Sequence, residues 1–178
     1  RKFADYVGAR YAIATNSCTS ALDLAIKVYG IKGGELITTP MTFVADAWVG
    51  EANHMDVTFG DIDPDSLCLD PKSLVVTENT KAIIAVDSHG RLADIEGIKK
   101  VSRQKNDFAE YGPLIIEDAA HAMFTPGAGK GDITVWSFQA VKSMPAGDGG
   151  AITTNNEAIY NKLRKMTWLG VEKDTFSR

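Results

Sequence analysis

Short apolar runs alternate along this chain with segments whose apolar residues recur at helical spacing. The runs Ala82 to Val86 and Leu114 to Ile116 are strand-sized. Ala21, Leu22, Leu24, Ala25 and Val28 instead repeat with the period of a helix. Read throughout, the pattern predicts helices at 2–7, 19–29, 43–52, 94–105 and 156–167, and strands at 11–15, 35–38, 56–60, 81–85, 113–116, 132–136 and 149–153. Gly8 reads as the stop of the first helix, and Pro64-Asp65 with Asp70-Pro71 marks a turn-rich connection near 61–73. Strands alternating with helices define an α/β fold, a mainly parallel mixed sheet with helices on both faces. The last strands, separated only by a loop, break that regular alternation.

Composition narrows the class. With 178 residues, 44% of them hydrophobic, and a formal charge of −4, the chain can bury one sizeable core. The acidic balance and scattered basic residues, among them the pairs Lys99-Lys100 and Arg164-Lys165, argue against a nucleic-acid partner. No apolar run is long enough to span a membrane, and no secretory leader is evident. Cys18 and Cys68 lie in separate segments without metal-ligand spacing and read as reduced thiols of a cytoplasmic protein. His54, His89 and His121 are too dispersed to suggest zinc, so no metal is expected, although folding could bring two of them together.

Three segments carry candidate chemistry. Asn16 to Ser20 occupy the start of the second helix, where unpaired amides and the helix dipole favour an anion; N-capping by Ser17 or Thr19 is the plainer alternative. Glu117 and Asp118 follow a buried strand, at the carboxyl end where ligands collect in open α/β sheets. One of them could simply cap a following helix, a part better suited to Glu117 than to Asp118. Lys142 sits among Trp136, Phe138, Val141 and Met144, with the nearest charges at Asp132 and Asp148. A lysine held against apolar groups loses hydration of its ammonium and becomes a nucleophile able to form a Schiff base.

In this order, with N-S-C-T-S-A-L at 16–22, T-P-M-T-F-V-A at 39–45, F-G-D-I-D-P-D-S at 59–66, I-E-D-A-A-H-A at 116–122, G-D-I-T-V-W-S-F-Q-A-V-K at 131–142 and G-D-G-G-A-I at 147–152, the chain resembles the DegT/DnrJ/StrS family of sugar aminotransferases. These are fold-type I enzymes that use pyridoxal 5'-phosphate (PLP). The resemblance covers essentially the whole chain and implies a PLP-binding large domain over 1–178, with one antiparallel strand in the sheet. It implies that Lys142 carries the cofactor and shuttles the proton, that Asp118 pairs with the pyridine nitrogen, and that His121 lies near the phenolic oxygen. Phe43 would stack on the ring, while Ser17, Cys18, Thr19 and Ser137 would hold the phosphate. The implied reaction moves an amino group from an amino acid, usually glutamate, to a nucleotide-linked keto-sugar, in a homodimer whose sites lie at the subunit interface. Trp48, Val49 and Trp168 are candidate exposed apolar positions for such an interface.

Departures accompany the match. Cys18 stands where the family commonly has glycine, G-D-G-G replaces G-E-G-G, and the stretch between His121 and Gly131 is short. Both ends of the chain read as cut, with some N-terminal residues and the C-terminal small domain of the family pattern missing. A truncated, non-catalytic interaction module is therefore the competing reading. A PLP-dependent sugar dehydratase is a second, but those commonly carry histidine where this chain has Lys142.

Overall fold

The computed structural model describes residues 1–104 and 112–171. Seven strands form one sheet in the order β1-β7-β6-β5-β4-β2-β3. They are β1 (Tyr11–Thr15), β2 (Glu35–Thr38), β3 (Asp56–Phe59), β4 (Thr80–Val86), β5 (Leu114–Asp118), β6 (Ile133–Ser137) and β7 (Gly150–Thr154). Strand β7 runs antiparallel to both its neighbours, β1 and β6, and the other pairings are parallel. The mixed α/β sheet expected from the alternation is therefore what forms, with its single antiparallel member among the last strands.

Among the described residues five α-helices accompany the sheet: α1 (Lys2–Val7), α2 (Cys18–Val28), α3 (Ala45–Ala52), α4 (Ile95–Gln104) and α5 (Glu157–Met166). Gly8 ends α1 in the left-handed region at φ 72, as its position suggested. The predicted helix 94–105 loses its last residue to the segment outside the described residues. Two short 3-10 turns, Pro71–Ser73 and Ser88–Gly90, lie in connections that the apolar pattern left blank.

The period of two along each strand sorts the core into layers. Ala82, Ile84 and Val86 of β4 and Leu114 and Ile116 of β5 join Leu22, Ile26, Val49 and Leu163 beneath α2, α3 and α5. Their alternates Ile83, Ala85 and Ile115 pack with Ile95, Ile98, Leu69 and Leu74 on the α4 side. Continuing that alternation, Glu117 points toward the α4 layer and Asp118 toward α2. A smaller cluster at the antiparallel end joins Trp136 and Ala151 to Phe3 and Phe138, with the Phe3 ring edge-on to both aromatics at 5.8 and 5.4 Å.

Candidate active site

Chain direction makes the carboxyl ends of the parallel strands one pole of the molecule, and the singled-out segments converge there. Ser17, extended at φ −163, caps α2: its Oγ accepts from the Ser20 amide at 3.1 Å. Capping leaves the first amides of the helix, those of Cys18 and Thr19, with no acceptor inside it. The turn sits directly on β7. A Cβ placed on Gly150 would lie 2.6 Å from both the Cys18 nitrogen and the Ser17 carbonyl carbon, so only glycine lets the helix start approach this closely. The G-D-G-G segment thus seats the anion-favouring turn against the sheet. Ser137, buried at the end of β6, is paired in register with that same Gly150.

The strand carrying the two acids extends to Asp118, two residues beyond its predicted end. Glu117, 1% exposed, accepts from the backbone amides of Gly129 at 2.7 Å, Lys130 at 2.5 Å and Gly131 at 2.7 Å. It tethers the loop before β6 and caps nothing that follows it in sequence. The local backbone bond is made by Asp118 instead, whose Oδ1 accepts from the Ala120 amide at 2.8 Å. The expectation that Glu117 would be the local cap is thus reversed, because alternation turns Glu117 toward the Gly129–Gly131 loop. Asp118 also accepts from the Cys18 thiol at 3.7 Å. Burial pushes the Asp118 carboxyl above its ordinary range, while the Ala120 amide, Asp46, Lys142 and His121 pull the other way.

Lys142 lies in the turn that follows β6, its amide bonded to the Gln139 carbonyl at 2.9 Å. Its Nζ is 2.8 Å from His121 Nε2, and its charge acts on Asp118, Asp46 and Cys18. Its apolar neighbours in sequence part company. Trp136, Phe138 and Met144 turn into the cluster around Phe3, and Val141 is exposed. Burial, then Lys142, lowers the His121 imidazole below its ordinary value, so the ring is neutral at neutral pH. A neutral imidazole accepts at one nitrogen only. The two ring nitrogens have different neighbours, Lys142 Nζ at 2.8 Å from Nε2 and the His89 amide at 3.4 Å from Nδ1.

Two residues at this pole escaped the sequence reading. His89 follows β4 in a left-handed conformation at φ 55, its ring centroid 5.8 Å from that of His121. Folding thus brings two of the dispersed histidines together; among the described residues no group of three or more His, Cys, Asp or Glu could hold a metal ion. The other is Asp46 on α3, wholly buried, with Oδ2 accepting from Thr42 Oγ1 at 2.5 Å. The signal for it was an acid four residues before Gly50 and three before Val49 on the buried face of that helix. Helix α3 starts at Ala45, leaving Phe43 ahead of it and 72% exposed. Of the apolar trio considered for an interface, Trp48 and Trp168 are half-exposed and Val49 is buried.

A separate concavity of about 1320 Å³ opens at the opposite pole, where Thr80, Leu114 and Asp132 begin or precede β4, β5 and β6. It holds none of the converging residues, and the carboxyl-end cluster is the site we consider. Cys18 and Cys68 are both free thiols, and among the described residues no helix is long and apolar enough to cross a membrane.

Comparison with known proteins agrees with this architecture. The family model of the DegT/DnrJ/EryC1/StrS aminotransferase family matches residues 1–178, and the chain belongs to that family. It is 38% identical to the spore coat polysaccharide biosynthesis protein SpsC of Bacillus subtilis (strain 168), covering 100% of this chain and 46% of SpsC. It is 36% identical to the GDP-perosamine synthase of Caulobacter vibrioides, covering 97% of this chain and 47% of that enzyme. Among solved structures, the sugar aminotransferase CalS13 from Micromonospora echinospora superposes with a TM-score of 0.89 at 29% identity, over 97% of this chain and 49% of that one. A second, the Bacillus subtilis protein NtdA with bound cofactor PMP, gives a TM-score of 0.86 at 29% identity, over 97% of this chain and 41% of that one. The chain spans about half the length of the curated relatives it matches.

Proposed function

We infer that residues 1–178 form the PLP-binding large domain of a cytoplasmic aminotransferase that moves an amino group from an amino acid, glutamate, to a nucleotide-linked keto-sugar, and that the complete protein works as a homodimer. The observation that carries this reading is the convergence of Lys142, His121 and Asp118 at one pole with the capped start of α2. The residues present suit the cofactor. A phosphate dianion wants amides and hydroxyls in a turn, which Ser17, Cys18, Thr19 and Ser137 offer beside Gly150. A pyridinium wants a buried carboxylate, and among the described residues Asp118 has no salt-bridge partner to compete for it.

PLP supplies an aldehyde for a lysine amine and a ring that withdraws electrons from the bond being broken. Everything else falls to this chain. Lys142 would bond the cofactor aldehyde through Nζ with loss of water and, once released from it, would carry a proton between substrate positions. His121 Nε2 orients that nitrogen through the 2.8 Å contact. Asp118 would hold the proton on the ring nitrogen, and Phe43, exposed ahead of α3, would cover the ring and exclude water. The named relatives, a GDP-perosamine synthase and a sugar aminotransferase, support the nucleotide-sugar acceptor.

Borohydride reduction of the PLP-loaded full-length protein tests the reading. Peptide mapping should find the pyridoxyl label on Lys142, and Lys142→Ala should lose the visible band of bound cofactor. Glutamate with a panel of nucleotide keto-sugars should then release 2-oxoglutarate. A label on another lysine, or a visible band unchanged in Lys142→Ala, would sink the assignment.

A further inference from the structure

Asp46 brings a second carboxyl into the buried space around Asp118. Thr42 Oγ1 meets its Oδ2, but Oδ1, equally buried, finds no donor. Asp46 and Asp118 are joined by a side-chain hydrogen bond. Two ionised carboxylates cannot bond to each other, whereas one proton between them both makes the bond and satisfies the orphan oxygen. The remaining partners decide which acid keeps that proton. Asp118 accepts from the Ala120 amide and the Cys18 thiol and lies in the field of Lys142 and His121, all of which favour its anion. Asp46 has the Thr42 hydroxyl and the weaker influence of Lys142.

We propose that Asp46 is a positioning residue that stays protonated and donates from Oδ1 to Asp118, keeping that carboxylate ionised and aimed at the cofactor ring nitrogen. The positioning role rests on the PLP reading above; the shared proton does not. Charge balance argues the same way: one anion answers one pyridinium, while two buried anions would overcharge the pocket. The groups that act on Asp46 are Thr42 beside it and Asp118 of β5, by hydrogen bonds, and Cys18 of α2 and Lys142 of the turn after β6, through charge. Burial, followed by Asp118, pushes the Asp46 acid well above its ordinary range, and burial does the same to the Cys18 thiol.

Two measurements on the full-length protein test this. Infrared difference spectra of cofactor-free wild type and Asp46→Asn at pH 7 should show the loss of one protonated-carboxyl carbonyl band. No such loss would show that Asp46 is ionised and overturn the proposal. In PLP titrations Asp46→Asn, whose amide still donates, should bind within about twofold of wild type. Asp46→Ala should bind about tenfold more weakly, the effect of one charge-assisted hydrogen bond, and raise the midpoint of the bound cofactor's visible pH titration by about one unit. A downward shift of that midpoint in Asp46→Asn would mean that a negative charge had been removed, and binding by Asp46→Ala equal to wild type would exclude a positioning role. Should Asp46→Ala fail to fold, Asp46→Thr takes its place. Failure of wild type to take up PLP would overturn the cofactor reading and the positioning role with it, yet the infrared band would still report the shared proton.

Discussion

Glu117 and Asp118 are neighbours on one strand, both buried, and the fold treats them in opposite ways. Glu117 faces the α4 layer, where three backbone amides of the Gly129–Gly131 loop saturate its carboxylate. Asp118 faces α2, with one backbone amide, a weak thiol donor and a second acid. A carboxylate held mainly by backbone donors is a staple, because little acceptor capacity is left for a ligand. One that is buried with capacity to spare is costly for folding and useful only if something else arrives.

The contrast predicts that stability and chemistry separate between the two positions. Glu117→Ala leaves three part-buried amides without their acceptor and an empty space in the core, and should cost about 3 kcal/mol, roughly 10 °C in the melting temperature. Asp118→Asn should leave the cofactor-free melting temperature unchanged or higher, since a neutral amide escapes the burial penalty, while turnover of the loaded enzyme falls by about a hundredfold. Calorimetry and steady-state kinetics on both variants decide it. Equal melting losses at the two positions would mean that Asp118 is a staple as well.

A smaller effect probes the seat of the anion-favouring turn. Gly150→Ala drives a methyl into the Ser17–Cys18 backbone and should cost about 1–3 kcal/mol while weakening phosphate or PLP binding more than tenfold. Ser17→Ala, which removes only the cap, should cost about 1 kcal/mol. A Gly150→Ala protein with wild-type PLP affinity would detach the G-D-G-G segment from the cofactor.

The last effect appears only as the pH changes and concerns Asp87, whose carboxyl touches the Glu117 staple. Burial, then Glu117, raises it from 3.8 to about 8. Because the folded value lies above the unfolded one, its contribution to stability is full below pH 3.8 and declines until the pH passes about 8. Asp87→Asn should remove that downward slope, making the variant the more stable protein at pH 9. Denaturant midpoints at pH 5, 7 and 9 would reveal it, and parallel profiles for the two proteins would refute it.

Local pattern carried far in this chain. Every strand and helix was legible to within about two residues, because apolar period and breakers such as Gly8 act over a few positions. Phe43 shows the limit of that reading, since the residues before Ala45 continue the apolar run without continuing the helix. At the site, Lys142, Asp118, His121 and the Ser17–Thr19 turn were all visible as segments. Asp46 and His89 were not, since an acid inside an apolar helix face and a histidine in a D-S-H-G turn look ordinary until neighbours distant in sequence surround them.

The amino-acid order alone settles which side of the sheet each strand residue faces, because successive side chains on a pleated strand must alternate. It likewise settles where α2 begins and why glycine stands at position 150 once β7 is formed. Which acids are saturated, which share a proton and what surrounds Lys142 depend on contacts between segments as far apart as Cys18 and Asp118. Those contacts exist only after loop closure has brought the carboxyl ends of the strands together, and burial there changes the energy of every charge by more than its local sequence can foretell.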